Sequence, residues 1–320
     1  MRHIDVFNGD ADGICALLQL RNANPVESEL VTGVKRDIKL LNRVSASPDD
    51  RITVLDISLD SNRQGLESVL EQGAEVIYFD HHFAGSPEFF HPKLHTNINM
   101  AADCCTSSLV NLHLQGAFQQ WAIVGAFGDN LKQVGQALSR ASDLDEAQMQ
   151  QLENLGIYMN YNGYGATVED LHFAPDALFL AMKAFSSPFD FFAEDKTTFE
   201  QLEQGYLHDM QQAQQTTATH QSEASAVFML PDAAWARRVS GVYGNALANQ
   251  SPDRAHAVVT SKQDGHYLVS VRAPLNNKTG ADEICRQFPS GGGRKAAAGI
   301  NELPEAQLST FIDTLDDFYA

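Results

Sequence analysis

Very little in this sequence is basic: 22 Lys and Arg stand against 41 Asp and Glu, a formal net charge of −19. That excludes a protein that coats long nucleic acid, because neutralising successive phosphates needs clustered cations. Cysteine is also scarce. The four present, Cys15, Cys104, Cys105 and Cys285, show no CxxC spacing, and the adjacent pair suits no ordinary disulfide. A disulfide framework is thereby excluded, and reduced thiols in a cytoplasmic protein are expected. No window approaches about 18 uncharged apolar residues, so no membrane-spanning helix is expected. The opening MRHIDVFNGDADG carries Asp early and no long apolar segment, so no signal peptide is expected either. No internal repeat is visible.

What is present points to a globular chain. Hydrophobic residues make up 43% and charged residues 20%, and 320 residues exceed one comfortable core, so two domains are expected. The charge is uneven. Residues 1–230 hold 13 basic and 31 acidic side chains, whereas residues 231–300 hold nine Lys and Arg against five acids. An acidic body with one mildly basic face suits a small anionic ligand better than a polymer.

The first half alternates short apolar runs with helical patterns. HIDVF (3–7), ITVLDI (52–57) and AEVIYF (74–79) read as strands, with helices over about 14–21 and 61–72 between them. Near-continuous apolar strands alternating with helices predict an α/β fold with a parallel sheet covered on both faces. SSLVNLHLQ (107–115) reads as a further helix, and QQWAIVGAFGDN (119–130) as a buried helix or strand, which periodicity alone does not separate. Composition then shifts to Glu, Gln, Ala, Thr and His over 194–224, as expected for an exposed connecting helix. Beyond it, AVFMLP, HAVVTSK and YLVSVRAP alternate as strands, and a helix at about 279–288 leads into SGGGRKAAAG. The expected division is a domain over 1–190, a helical linker over 191–225 and a smaller α/β domain over 226–320.

The acids cluster where the strands end. Asp10 and Asp12 follow the first strand, Asp56 lies near the end of the second, and Asp80-His81-His82 ends the third. In an open parallel sheet, ligands bind beyond the carboxyl ends of the strands. Four carboxylates brought together there would repel and raise one another's pKa, and divalent cations remove that conflict. Asp12, just before an apolar-periodic helix, could instead serve as its N-cap. Oxygen-rich sites with imidazole suit manganese or magnesium, and two such ions clamp a phosphoryl group for in-line attack.

NGDADG, the isolated Asp56 in VLDIS, DHH at 80–82 and the later GAFGDN resemble, in this order, the four motifs of the DHH phosphoesterase superfamily. SVRAP and SGGGRKAAAG resemble its DHH-associated C-terminal domain. The resemblance covers nearly the whole chain and implies two lobes with the active site in the cleft between them. It also implies roles. Asp56 would bridge two divalent cations, Asp10 would hold the first, and Asp12, His81 and Asp129 the second. Asp80 would orient these ligands, and His82 would meet the substrate phosphate as hydrogen-bond donor or general acid. Gly291, Gly292 and Gly293 would offer backbone N–H groups to an anion, with Arg294 and Arg272 adding charge-assisted contacts. Two departures stand out. The family's first motif begins with a His four residues before the first ligating Asp, where this chain has Val6, and Arg294 stands where the family places His.

The expected protein is therefore a cytoplasmic, manganese-dependent phosphodiesterase, with magnesium as the alternative ion. It would act on dinucleotides, nano-RNA or bisphosphorylated mononucleotides, without membrane or long duplex partners, and with a homodimer left open. The alternatives are a RecJ-type single-strand exonuclease and a nucleotide-binding sensor whose metal site has decayed, for which Val6 is the best argument; a pyrophosphatase is disfavoured because the second domain resembles the nucleotide-handling type. Among weaker features, Tyr161 or Tyr164 could stack on a base, His91 or His95 could replace the ligand missing at Val6, and Trp121 and Trp235 are expected in the core.

Overall fold

A computed structural model describes residues 2–86 and 88–320. The chain divides into two compact units, Met1–Gln204 and Gly205–Ala320. In the first, elements run β1 (His3–Phe7), α1 (Ala11–Ala23), β2 (Glu29–Val31), β3 (Arg51–Leu55), α2 (Arg63–Glu71), β4 (Glu75–Asp80) and β5 (Leu94–Ile98). Seven helices follow: α3 (Thr106–His113), α4 (Gln119–Gly128), α5 (Lys132–Ala141), α6 (Glu146–Asn162), α7 (Pro175–Met182), α8 (Pro188–Glu194) and α9 (Lys196–Gln214). The last of these crosses into the second unit.

The five strands form one parallel sheet in the order β2-β1-β3-β4-β5. Alternation along each strand sends successive side chains to opposite faces. Ile4 and Val6, Ile52 and Val54, and Val76 and Tyr78 therefore share one buried cluster with Leu66, Val69 and Leu70 of α2. Val6 is part of this apolar layer. On the other face α1 packs against the sheet, and buried Asp5 takes a bidentate ion pair from Arg21 of that helix, at 2.8 and 2.5 Å. The segment 119–130, open between helix and strand in the sequence, is helical through Gly128.

Its glycines explain how the helices approach so closely. A Cβ at Gly128 would lie 2.3 Å from the Cβ of Ala11 and 2.9 Å from the carbonyl oxygen of Gly156, so α1, α4 and α6 meet where no larger residue fits. Trp121 is buried, with its indole N–H donating to the carbonyl of Phe185, as expected for a core residue.

The second unit adds β6 (Ala218–Gln221), β7 (Ser225–Leu230), α10 (Ala234–Gln250), β8 (Ala255–Ser261), β9 (His266–Arg272), α11 (Ala281–Cys285), β10 (Gly291–Arg294), β11 (Ala297–Pro304) and α12 (Leu308–Tyr319). They build a mixed sheet ordered β10-β11-β9-β8-β7-β6, in which only the β7–β8 pair is parallel. Val227, Ala257, Val259, Val269 and Val271 face Ile284, Phe311 and Leu315 of α11 and α12. Helix α10 lies on the opposite face, and there Trp235 is only half-buried rather than in the core.

His256 sits in β8, 3% exposed, and its Nδ1 has no hydrogen-bond partner among the described residues. Burial, reinforced by the nearby Arg254 charge, pushes its pKa down to about 4. An unfolded imidazole titrates near about 6.5. The folded chain thus favours the neutral ring. Its contribution is complete above about pH 6.5, declines as pH falls through the window to 4, and is then exhausted. Lowering the pH from 7 to 4.5 should cost wild type about 1–2 kcal/mol more than His256→Leu, read from urea midpoints of the two proteins. An identical pH response in both would refute this role for the ring.

Candidate metal centre

The site is assembled at the carboxyl ends of the parallel strands. Asp10 ends the turn after β1 and is the N-cap of α1, its Oδ1 accepting the backbone N–H groups of Asp12 and Gly13 at 3.1 Å each. The cap is thus Asp10 and not Asp12. Asp12 lies in the first turn of α1 and its carboxylate points at a different helix. Its oxygens accept the backbone N–H of Thr106 at 2.7 Å and of Ser107 at 2.8 Å, the first amides of α3. A helix N-terminus is a favourable place for an anion.

Asp56 follows β3 with φ of +59°, a left-handed conformation that non-glycine residues adopt at a cost. The kink turns its carboxylate away from the strand line and under Thr106, whose hydroxyl donates to Oδ1 at 3.0 Å. Asp129 is the last residue before Asn130, whose φ of +62° ends α4 in the left-handed turn typical of a helix C-terminus. The two residues that close the GAFGDN stretch therefore have separate tasks: Asn130 stops the helix and Asp129 enters the site.

The DHH stretch divides its work as adjacency requires. His81 Nδ1 bonds the carbonyl oxygen of Cys104 at 2.9 Å, and Nε2 faces Asp56 Oδ1 at 3.4 Å and Asp129 Oδ2 at 3.8 Å. His82 Nδ1 bonds Asp80 Oδ1 at 2.7 Å and lies 4.0 Å from Asp56 Oδ1. Asp80 is fully buried, and its orienting partner is His82 rather than His81.

Two groups in this cluster have ligand atoms within 4.8 Å of one another: Asp12, His81 and Asp129, and Asp56, His81 and His82. Asp10 is in neither. Its Oδ2 takes an ion pair from Lys35 Nζ at 2.5 Å, and the same ammonium donates to Asn160 Oδ1 at 2.7 Å.

The electrostatics show why a cation fits. Burial, and then the Asp56 charge, raise Asp12 to about 7. Burial, and then Asp10, raise Asp56 to about 6. Burial raises Asp129 as well, partly offset by Lys35. Asp10 moves the other way: burial would raise it, but Lys35 holds it below the usual carboxylate range. His81 would be lowered by burial, yet Asp56, Asp12 and Asp129 lift it to about 11. The chain alone therefore compensates its carboxylates with a protonated imidazole. With Nδ1–H given to the Cys104 carbonyl, the Nε2 proton is the one a divalent cation would displace, leaving the lone pair pointed at the carboxylates. An oxygen-rich set with one imidazole fits manganese or magnesium.

The other sequence candidates fall elsewhere. Tyr161 is buried and bonds His172 Nε2 at 2.8 Å, so it is a core residue. Tyr164 lies at the site, its ring 5.5 Å from Lys35 Nζ. His95 pairs with Glu75 at 3.5 Å and His91 accepts from the Lys93 amide, both on the exposed β4–β5 side and not as a replacement ligand at Val6. Arg272 is bound within its own unit, to Asn245 Oδ1 at 2.6 Å and to the carbonyls of Gly241 and Val271 at 3.1 Å each. Gly291–Arg294 forms edge strand β10 of a hairpin. There a Cβ at Gly291 would strike the Cys285 carbonyl, whereas one at Gly292 meets nothing within 4 Å. The sequence reading missed Lys35, Asn160, Thr106 and the Cys104 carbonyl. Lys35 lies just beyond β2, a three-residue strand too brief and too exposed to stand out in the sequence.

By sequence the chain matches no family model and no curated protein. Solved structures do match. RecJ from Thermus thermophilus in complex with Mn2+ aligns over 99% of this chain and 52% of its own, with 16% identity and a TM-score of 0.66. This chain thus spans about half of that protein. An exonuclease RecJ bound to manganese aligns over 99% and 90%, at 16% identity and a TM-score of 0.64. A pGpG-specific phosphodiesterase, PggH, from Vibrio cholerae aligns over 100% of both chains, at 15% identity and a TM-score of 0.55. The chain has the fold of these proteins, as the resemblance to the DHH phosphoesterases leads one to expect.

The division between the two histidines has a direct consequence. His81→Ala should weaken manganese binding by more than about tenfold, or 1.4 kcal/mol, whereas His82→Ala should change it by less than about threefold. Titration calorimetry reads both, and equal losses would contradict the assignment.

Proposed function

We propose that this chain is a divalent-cation-dependent phosphoesterase that cleaves short nucleotides: dinucleotides, nano-RNA or bisphosphorylated mononucleotides. The observation that carries the reading is the convergence of Asp12, Asp56, His81 and Asp129 at the strand ends. Manganese is the favoured ion, supported by the manganese in the two RecJ structures of the same fold. When bound, such an ion polarises a phosphoryl oxygen and acidifies a coordinated water. The chain's own groups do the rest. Asp12, Asp56, Asp129 and His81 Nε2 would hold the ion. His82 is half-exposed, and Asp80 fixes its Nδ1. That exposure and that contact support a role for His82 in donating a proton or hydrogen bond to a phosphate oxygen. The four free, buried thiols suit a reducing compartment such as the cytoplasm.

Substrate length is argued from charge. With 13 basic and 31 acidic residues over 1–230, the chain offers a trailing strand more repulsion than attraction. The end-to-end match with a pGpG-specific phosphodiesterase supports the same reading. The second reading, a single-strand exonuclease, draws on the higher TM-scores of the RecJ structures. In the favoured reading Gly291–Gly293 and Arg294 receive a terminal phosphate. Gly292 is its most direct probe, because a methyl group there meets no neighbour.

The test is kcat/KM for 5′-phosphorylated oligonucleotides of about two to ten residues at low and high salt, with a shallow salt slope expected because few phosphates are neutralised. Efficiency should be highest for the dinucleotide and fall with length. Gly292→Ala and Arg294→Ala should each raise KM for it by about tenfold with kcat little changed, the signature of lost uniform binding. Efficiency that grows with length and collapses with salt would establish the exonuclease instead.

A further inference from the structure

The two ligand groups at the metal centre share His81, and this limits how many ions they describe. One ring nitrogen of His81 is committed to the Cys104 carbonyl, so a single nitrogen, Nε2, faces the carboxylates. One lone pair holds one ion. The groups therefore outline a single position bounded by Asp12, Asp56, His81 and Asp129, with His82 at its edge.

Asp10, the carboxylate that the resemblance gives to a separate ion, lies in neither group, and both of its oxygens are engaged. Oδ1 caps α1 through two backbone amides, and Oδ2 receives Lys35 Nζ. The pair is no mobile surface contact. The Asp10 side chain is 3% exposed and that of Lys35 22%. Lys35 is held from several directions: its N–H donates to the Gly163 carbonyl at 2.8 Å, its own carbonyl accepts from Asn8 Nδ2 at 3.3 Å, and its ammonium also reaches Asn160. Val6, four residues before Asp10, is a hydrocarbon side chain in the apolar layer packed against α2 and offers an ion no ligand.

We propose that Lys35 Nζ is a fixed cation standing beside Asp10 where a second ion would otherwise bind, so that the protein holds one divalent cation per chain. This inference rests on the metal-dependent reading above and concerns how its positive charge is supplied. One ion and one ammonium then face Asp10, Asp12, Asp56 and Asp129, and the ammonium cannot be removed by a chelator.

Manganese binding to the whole chain tests this without recourse to turnover. Titration calorimetry and electron paramagnetic resonance of the wild type should give one ion per chain and the spectrum of an isolated Mn2+. Lys35→Met frees Asp10 and should take up two ions, with the altered lines of a spin-coupled pair. Lys35→Arg keeps a cation at Asp10 and should remain at one. Two ions in the wild type would overturn the inference while leaving metal dependence intact, and so would a folded Lys35→Met that still binds one. No binding by the wild type at all would remove the metal-dependent reading, and this inference with it. The wild-type titration decides even if Lys35→Met fails to fold.

Discussion

Everything at this site follows from burying carboxylates together. Asp10, Asp12, Asp56, Asp80 and Asp129 are largely drawn out of water at the carboxyl ends of the parallel strands, where burial and neighbouring carboxylates disfavour the charge of Asp12 and Asp56. Such an arrangement persists only if each carboxylate finds compensation. Asp10 has the α1 amides and Lys35, and Asp12 has the amides of α3. Asp56 has the Thr106 hydroxyl and shares His81 with Asp129, and Asp80 has His82. Several of the surrounding elements are placed where they can supply that compensation. The start of α3 meets α1, and the loop after β2 folds back to the end of α6.

The scaffold makes this placement natural. Parallel strands joined by helices present all their carboxyl ends on one side, and residues just past those ends converge without any long-range pairing being specified. The cost is local backbone strain at Asp56 and close helix packing at Gly128, where a Cβ would collide with Ala11. Solved structures with the same fold share only 15–16% identity with this chain, as expected when a layered α/β architecture tolerates most core substitutions of matching size. Fold alone does not define the reaction. The side chains at the strand ends do.

Read without a structure, the chain already declared the three central strands, β1, β3 and β4. Each is a short apolar run closed by a polar turn, and both faces of such a strand must be covered. It also declared the acids at their ends, because Asp and His directly after an apolar run have no packing explanation. The edge strands β2 and β5 were not legible. ELV and LHTNI are short and partly exposed, and an edge strand need not carry the apolar signal of a central one. Helix α10 was missed as well, since AWARRVSGVYGNALANQ mixes arginines and glycines with its apolar residues.

What the sequence determined by itself is thus the class of fold and the identity of most charged groups at the site, because hydrophobic period and residue chemistry are local properties. What only the tertiary structure decided is how those groups are partnered. The N-cap is Asp10, not Asp12; Asp80 serves His82, not His81; and Lys35, 25 residues from Asp10 and on the far side of an inconspicuous edge strand, is the cation that neutralises it. Nothing local marks such a pair. It exists because β2 lies beside β1 in parallel register, which brings the two strand ends, and the loops that leave them, to the same place.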